Sequence, residues 1–131
     1  MKLIIAGPRD CDDIGIVHYA IAECTTKTGW TVTEIVVGGA RGVDSAAEAL
    51  ARLHGHKVKL FKANWHIFGK IAGPMRNIEM ADYADALLLI WRGDSLGSRN
   101  MLNTALRKGL PVCEYNFVSD VWTFHNVKLI S

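Results

Sequence analysis

Three short segments concentrate the residues of this chain whose types and spacing could do chemistry. They are Gly7-Pro8-Arg9-Asp10, Gly38-Gly39-Ala40-Arg41-Gly42-Val43-Asp44 and Arg92-Gly93-Asp94-Ser95-Leu96-Gly97-Ser98. Glycine lets main-chain N–H groups approach an anion closely, and at a helix N-terminus those groups add their dipole to the attraction. The second segment reads as a phosphate cradle on this ground, while its glycines also suit a tight turn and Asp44 also suits a helix N-cap. The third repeats the arrangement: Gly93 opens it, Gly97 permits close approach, and Ser98 is placed as an N-cap whose hydroxyl serves its own helix or a bound phosphate. Arg76, in Gly73-Pro74-Met75-Arg76-Asn77, lies in a Gly-Pro loop that would hold its guanidinium fork toward a phosphate or carboxylate. Arg41 and Arg9 rank below it, since each also fits a solvated surface.

Other chemistries find little support. Cys11, Cys24 and Cys113 are an odd number with no CxxC spacing, which suggests neither a disulfide framework nor a zinc knuckle and fits a reducing cytoplasm. His18, His54, His56, His66 and His125 lack a zinc-like partner set, so no metal and no cofactor is expected. No GxxxxGK[ST] or GxGxxG is present, which removes the ordinary NTPase and dinucleotide-oxidoreductase readings. Trp65 and Trp91 have two readings, core packing and stacking on a base, of which core packing is the simpler.

The elements that must position these loops follow from the pattern of apolar residues. Residues 2–6, 33–37, 86–90 and 111–115 are nearly continuous apolar runs, the mark of strands buried on both faces of a parallel sheet. A more polar fifth run, 57–61, belongs nearer an edge. Between them lie helical stretches: 14–28, with Asp12 and Asp13 as capping candidates and Gly29 as its end; 44–53, closed by Gly55; one beginning near Pro74; and one beginning at Ser98, closed by Gly109 and Pro111. This alternation predicts βαβ units and a three-layer, Rossmann-like α/β sandwich with a mostly parallel sheet of about five core strands. The tail 116–131 is expected to add a short helix and an edge strand. The glycine loops then follow the carboxyl ends of at least three strands, which is the ligand edge of such a sheet.

At 131 residues the chain has room for a single domain, 1–131. Half of its residues are hydrophobic and 21% are charged, the balance of a chain that buries a real core. Fifteen Lys and Arg against thirteen Asp and Glu leave a net charge of +2, too small for a broad field toward nucleic acid or acidic lipid, so any anion must be held locally. The longest apolar run, 86–91, is far short of the about 20 residues a bilayer span needs, and no membrane association is expected.

The blocks VVGGARGVDSAAEALA, NWHIFGKIAGPMRNIEMADYADALLLIW and GDSLGSRNMLNTALRKGLPV together resemble the YspA-like branch of the SLOG superfamily, the Rossmann-like group that includes Smf/DprA proteins and Lonely Guy phosphoribohydrolases. The resemblance runs from Lys2 to Tyr115. It implies a domain that binds nucleotides or nucleotide-derived ligands at its glycine-rich loops. It assigns Gly38, Gly39, Arg41, Gly42 and Asp44 to the site from the first block, Arg76 and Asn77 from the second, and Gly97 and Ser98 from the third. Gly7, Arg9 and Gly93 join them from the loop positions alone. Lonely Guy enzymes cleave an N-glycosidic bond with an Arg and a Glu; here Asn100 and Met101 occupy the expected acidic positions and Arg92 replaces a Pro. Neither Asn nor Met can stabilise an oxocarbenium-like centre or activate water.

The expectation is therefore a module that binds a nucleotide or a phosphorylated nucleotide derivative, as a sensor or a sequestering protein. The first alternative is an N-glycoside hydrolase or transferase in which Asp44, Glu79 or Asp94 supplies the missing carboxylate and Arg76 assists. The second is single-stranded DNA binding, which a near-neutral chain without an aromatic and basic stripe supports least. A homodimer is expected from the way related folds pair through helices.

Overall fold

The structure, a computed structural model, describes residues 1–130. Ser131, the last residue of the tail considered above, lies outside the described residues. Six strands form one sheet: β1 (Lys2–Ala6), β2 (Glu34–Val37), β3 (Lys57–Leu60), β4 (Ala86–Trp91), β5 (Val112–Asn116) and β6 (Val121–His125), in the order β3-β2-β1-β4-β5-β6. All pairings are parallel except that of β5 with β6. The fold class is the expected Rossmann-like α/β sandwich, and the polar run at 57–61 is indeed an edge strand.

The apolar runs are continuous because both faces of the central strands are covered. Leu3 and Ile5 of β1, with Leu88 and Ile90 of β4, pack against Val17, Ala20 and Cys24 of α1 (Ile14–Thr28) and Ala46, Ala47 and Leu50 of α2 (Val43–Leu53). The alternate residues Ile4, Ala6, Leu87, Leu89 and Trp91 face Met80 and Ala81 of α4 (Ala72–Tyr83) and Met101, Leu102 and Ala105 of α5 (Leu96–Arg107). Every residue of β4 is buried. Each such Leu or Ile contributes about 1.5–3 kcal/mol by leaving water, so the middle of the sheet anchors the fold.

Local chemistry sets the helix ends. Asp13 caps α1 by accepting from Gly15 N at 2.9 Å and Ile16 N at 3.3 Å, and Gly29 ends it in the left-handed region. Two expectations are corrected here. Ser98 is not an N-cap: the helix begins at Leu96, and the side chain of Ser95 accepts from Ser98 N at 3.3 Å, which places Ser98 in the third helical position. Among the described residues the tail holds no helix; residues 117–120 form a turn in which Asn116 Oδ1 accepts from Val118 N and Ser119 N, and β6 follows. An unforeseen short helix, α3 (Trp65–Phe68), and a 3-10 turn (Gly69–Ile71) precede α4. Among the described residues no helix is long and apolar enough to cross a membrane.

Candidate functional site

The chain leaves β1 toward α1 and β2 on one side and leaves β4 toward α5 and β5 on the other, so the strand order reverses between β1 and β4. A crevice must open where two neighbouring strands send their loops in opposite directions. A cleft of about 690 Å³ lies there, at the carboxyl ends of these strands. Its walls are the β1 loop (Gly7, Arg9, Asp10), the second turn of α4 (Arg76, Asn77), the first turns of α5 (Gly97, Ser98, Asn100), the rim residues Trp65, Arg92 and Asp94, and Asp44 at its base. Arg76 is held by the helix itself, since Gly73 and Pro74 lie within α4 and form no loop.

Asp44 sits in the first turn of α2, and its carboxylate turns back to the loop before the helix, accepting from Gly38 N at 3.1 Å and Ala40 N at 3.4 Å. Burial pushes this carboxyl up to about 6, against the lowering influence of Arg76 and of the amides of Ala40, Gly38 and Gly7. Gly42, and not Asp44, occupies the N-cap position, packed against the main chain of Pro8 and Arg9.

Arg76 is half-buried and donates through Nη1 to the Gly38 carbonyl oxygen at 2.6 Å and through Nε to Asn77 Oδ1 at 3.1 Å. A Cβ at position 38 would lie 2.7 Å from Arg76 Nη1, so only glycine leaves the guanidinium its place. Burial lowers the affinity of Arg76 for its proton and Asp44 raises it; a guanidinium stays charged under such shifts. Asn77, itself buried, passes the chain on by donating to Asn100 Oδ1 at 2.8 Å.

At the rim, Arg92 grips Asp10 with two contacts of 2.8 and 3.0 Å and reaches Asp94 at 3.5 Å, tying the β1 loop to the β4 loop. The hydrogen bond from Arg92 holds the Asp10 carboxyl below its ordinary range, and Asp10 raises Arg92 in return. Arg92 is thereby neutralised. Among the described residues Arg9, Lys70 and Arg76 make no ion pair, which leaves the cleft with cationic donors to spare. Ser98 Oγ is the buried side-chain polar atom without a hydrogen-bond partner among the described residues.

Of the residues expected from sequence, the structure brings Gly7, Arg9, Asp44, Arg76, Asn77, Asp94, Gly97 and Ser98 into the cleft wall. Gly38 and Gly42 stand directly behind it and hold Arg76 and the β1 loop. Gly39, Arg41 and Gly93 are exposed and outside the wall, and Glu79 points to solvent from α4. The reading of Trp65 and Trp91 divides: Trp91 is 2% exposed in the core, whereas Trp65 is 47% exposed at the cleft rim. Lys70 was not expected as a wall residue; Asp10 and Arg92 lie in the expected loops without having been singled out as ligand-binding, and Asn100 stands in the wall at a position the resemblance marked for a carboxylate. Arg92 immediately follows β4, and that position was its available signal.

Residues 1–68 match the YspA, cpYpsA-related SLOG family. The chain belongs to this family. Over 120 residues it is 35% identical to the Gene 61 protein of Mycobacterium phage D29, a match that takes in 87% of this chain and 95% of that protein. In fold it resembles DNA processing protein A (DprA) of Streptococcus pneumoniae, with a TM-score of 0.69 and 20% identity over 87% of this chain. The chain spans 50% of that structure's length, and at this identity the likeness is one of fold. The SLOG assignment thus rests on sequence from β1 to α3, and the DprA-like architecture extends beyond it.

Proposed function

We propose that the cleft binds a nucleotide or a phosphorylated nucleotide derivative, with the phosphate at the N-terminus of α5 and Arg76 as its cationic clamp. The observation that carries this reading is the Ser98 hydroxyl, buried in the cleft wall without a partner among the described residues. A native core seldom leaves a buried hydroxyl unsatisfied, because desolvating it costs about 1–3 kcal/mol. A phosphate oxygen at the helix end would accept from it, from the first-turn amides and from Arg76 together. Membership of the SLOG family and the position of the cleft at the switch point support a nucleotide-related role in general.

Isothermal calorimetry against nucleoside mono- and diphosphates, ADP-ribose and cyclic nucleotides tests the proposal. Binding by at least one class, abolished in Arg76→Ala, is the expected result; no binding by any of them overturns it. The homodimer is likewise a proposal, and light scattering across a concentration series decides it.

One observation favours a second reading, cleavage of the N-glycosidic bond of a nucleoside monophosphate. Asp44 is a carboxyl in the cleft with a pKa of about 6, a value suited to proton transfer near neutrality. Asp94 is a weaker candidate because it shares Arg92 with Asp10 at the rim, and Glu79 is outside the cleft. Release of free base that disappears in Asp44→Asn would establish hydrolysis; saturable binding without release would exclude it.

A further inference from the structure

Trp65 and Arg9 face one another across the cleft rim, the Arg9 guanidinium carbon lying over the indole at 5.6 Å from its centroid. Neither is casually placed. The indole edge rests on Gly73, where a Cβ would come within 2.9 Å of Trp65 Cη2, so any other residue at 73 would push the ring off its seat. The short helix that carries Trp65 is capped by Asn64, whose Oδ1 accepts from Ile67 N at 3.2 Å. On the other side the main chain under Arg9 is pinned, because the Pro8 carbonyl accepts from Val43 N at 3.3 Å and Cys11 N at 3.5 Å. The two side chains are exposed at the tips of fixed supports, and Arg9 makes no ion pair among the described residues.

We propose that Arg9 and Trp65 form a pincer for a planar nucleobase, which inserts between the guanidinium and the indole while the phosphate lies at Ser98 and Arg76. This rests on the phosphate reading above and adds the part of the ligand that reading leaves open. Two successive van der Waals contacts across an inserted ring need about 7 Å between the guanidinium and indole planes, so the two side chains must part to admit a base. Rotation of two exposed side chains supplies that. The insertion replaces one water-exposed cation–π contact by two stacking contacts, one with the indole and one with the guanidinium. Because every base has a π-face, the pincer selects for the presence of a base and tolerates its identity. A phosphorylated sugar without a base would fill the inner end of the cleft alone.

The test compares AMP, GMP, CMP and UMP with ribose 5-phosphate by calorimetry, while tryptophan fluorescence is followed. The wild type should bind the four nucleotides about tenfold or more tightly than ribose 5-phosphate, the range that one base stacked on an aromatic ring contributes. Trp65→Leu should bring the nucleotides down to the level of ribose 5-phosphate and leave ribose 5-phosphate unchanged, whereas Trp65→Phe should keep most of the difference. Nucleotides should quench the wild-type fluorescence, and Trp65→Phe should lose that quenching. Equal affinity for AMP and ribose 5-phosphate in the wild type would overturn the pincer and leave the phosphate site standing. Loss of both ligands in Trp65→Leu would assign Trp65 a structural role and overturn it too. Failure of the wild type to bind any of these five ligands would overturn the pincer, while the phosphate reading stands or falls on the wider calorimetric panel above.

Discussion

Asn77 Nδ2 donates to Asn100 Oδ1 at 2.8 Å, and this bond decides which end of Asn100 faces the cleft. The direction is forced from the far end of the chain of contacts. A guanidinium can only donate, so Arg76 Nε meets the oxygen of Asn77, the Asn77 amide nitrogen faces Asn100, and Asn100 must answer with its oxygen. Its own amide nitrogen donates to no group among the described residues, and Asn100 lines the cleft. A hydrolase of the Lonely Guy kind would need an acceptor at this place; the chain presents a donor, which suits an anion.

Replacing that donor tests the assignment. Asn100→Asp keeps an acceptor for Asn77 but turns a carboxylate toward the ligand, so AMP binding should weaken by more than tenfold. Asn100→Ala, which only removes one hydrogen bond of about 0.5–1.5 kcal/mol, should cost roughly threefold to tenfold. Calorimetric titration of the two variants checks the order, and equal losses would contradict the orientation.

Gly38→Ala probes the seat of Arg76 without touching the arginine. The added methyl would lie 2.7 Å from Nη1, so the guanidinium must shift off the Gly38 carbonyl and give up a charged hydrogen bond of about 1.5–3 kcal/mol. Nucleotide binding should fall nearly as far as in Arg76→Ala while the folded state persists. Urea unfolding alongside calorimetry separates the two effects.

Most of the fold was legible because β1, β2, β4 and β5 are covered on both faces and therefore read as unbroken apolar runs. The carboxyl edge, and with it Gly7, Asp44, Arg76 and Gly97, followed from that reading. What escaped depends on tertiary partners. Ser95 and Ser98 both have N-cap chemistry, and the choice between them turns on where the helix starts, which the local residues do not decide. The pairing of Arg92 with Asp10 joins loops 82 positions apart that only the β1–β4 adjacency brings together. β6 has no buried residue, so its pattern carries little signal, and α3 is too short for periodicity although Asn64 announces its cap. Arg41 had the same local credentials as Arg9, but its position in the loop leaves it facing solvent.

Asp44 gives the protein a pH dependence of definite sign. Its pKa rises on folding from 3.8 to about 6, so the folded state binds a proton more tightly than the unfolded chain does between those values. The stabilisation is present in full below pH 3.8 and is lost as pH climbs through 6. The contribution is about 3 kcal/mol in order of magnitude. Stability should therefore decline from pH 4 to 7 in the wild type, and Asp44→Asn, which is neutral throughout, should flatten that slope. Urea midpoints measured across this range decide the matter; parallel profiles for the two proteins would count against a buried, raised carboxyl.

Ser98→Ala separates a ligand-binding hydroxyl from a structural one, because the two roles predict opposite signs for stability. A hydroxyl that holds the fold together would cost stability when removed. Ser98 Oγ has no partner among the described residues, so its deletion removes a desolvated polar group and should leave the ligand-free protein unchanged or more stable by up to about 1 kcal/mol. Its loss should show only with ligand present, as a roughly threefold to tenfold weaker affinity for AMP and a correspondingly smaller ligand-induced rise in Tm. Thermal unfolding with and without AMP reads both quantities in one experiment, and a variant destabilised in the absence of ligand would place the hydroxyl in the fold and not in the site.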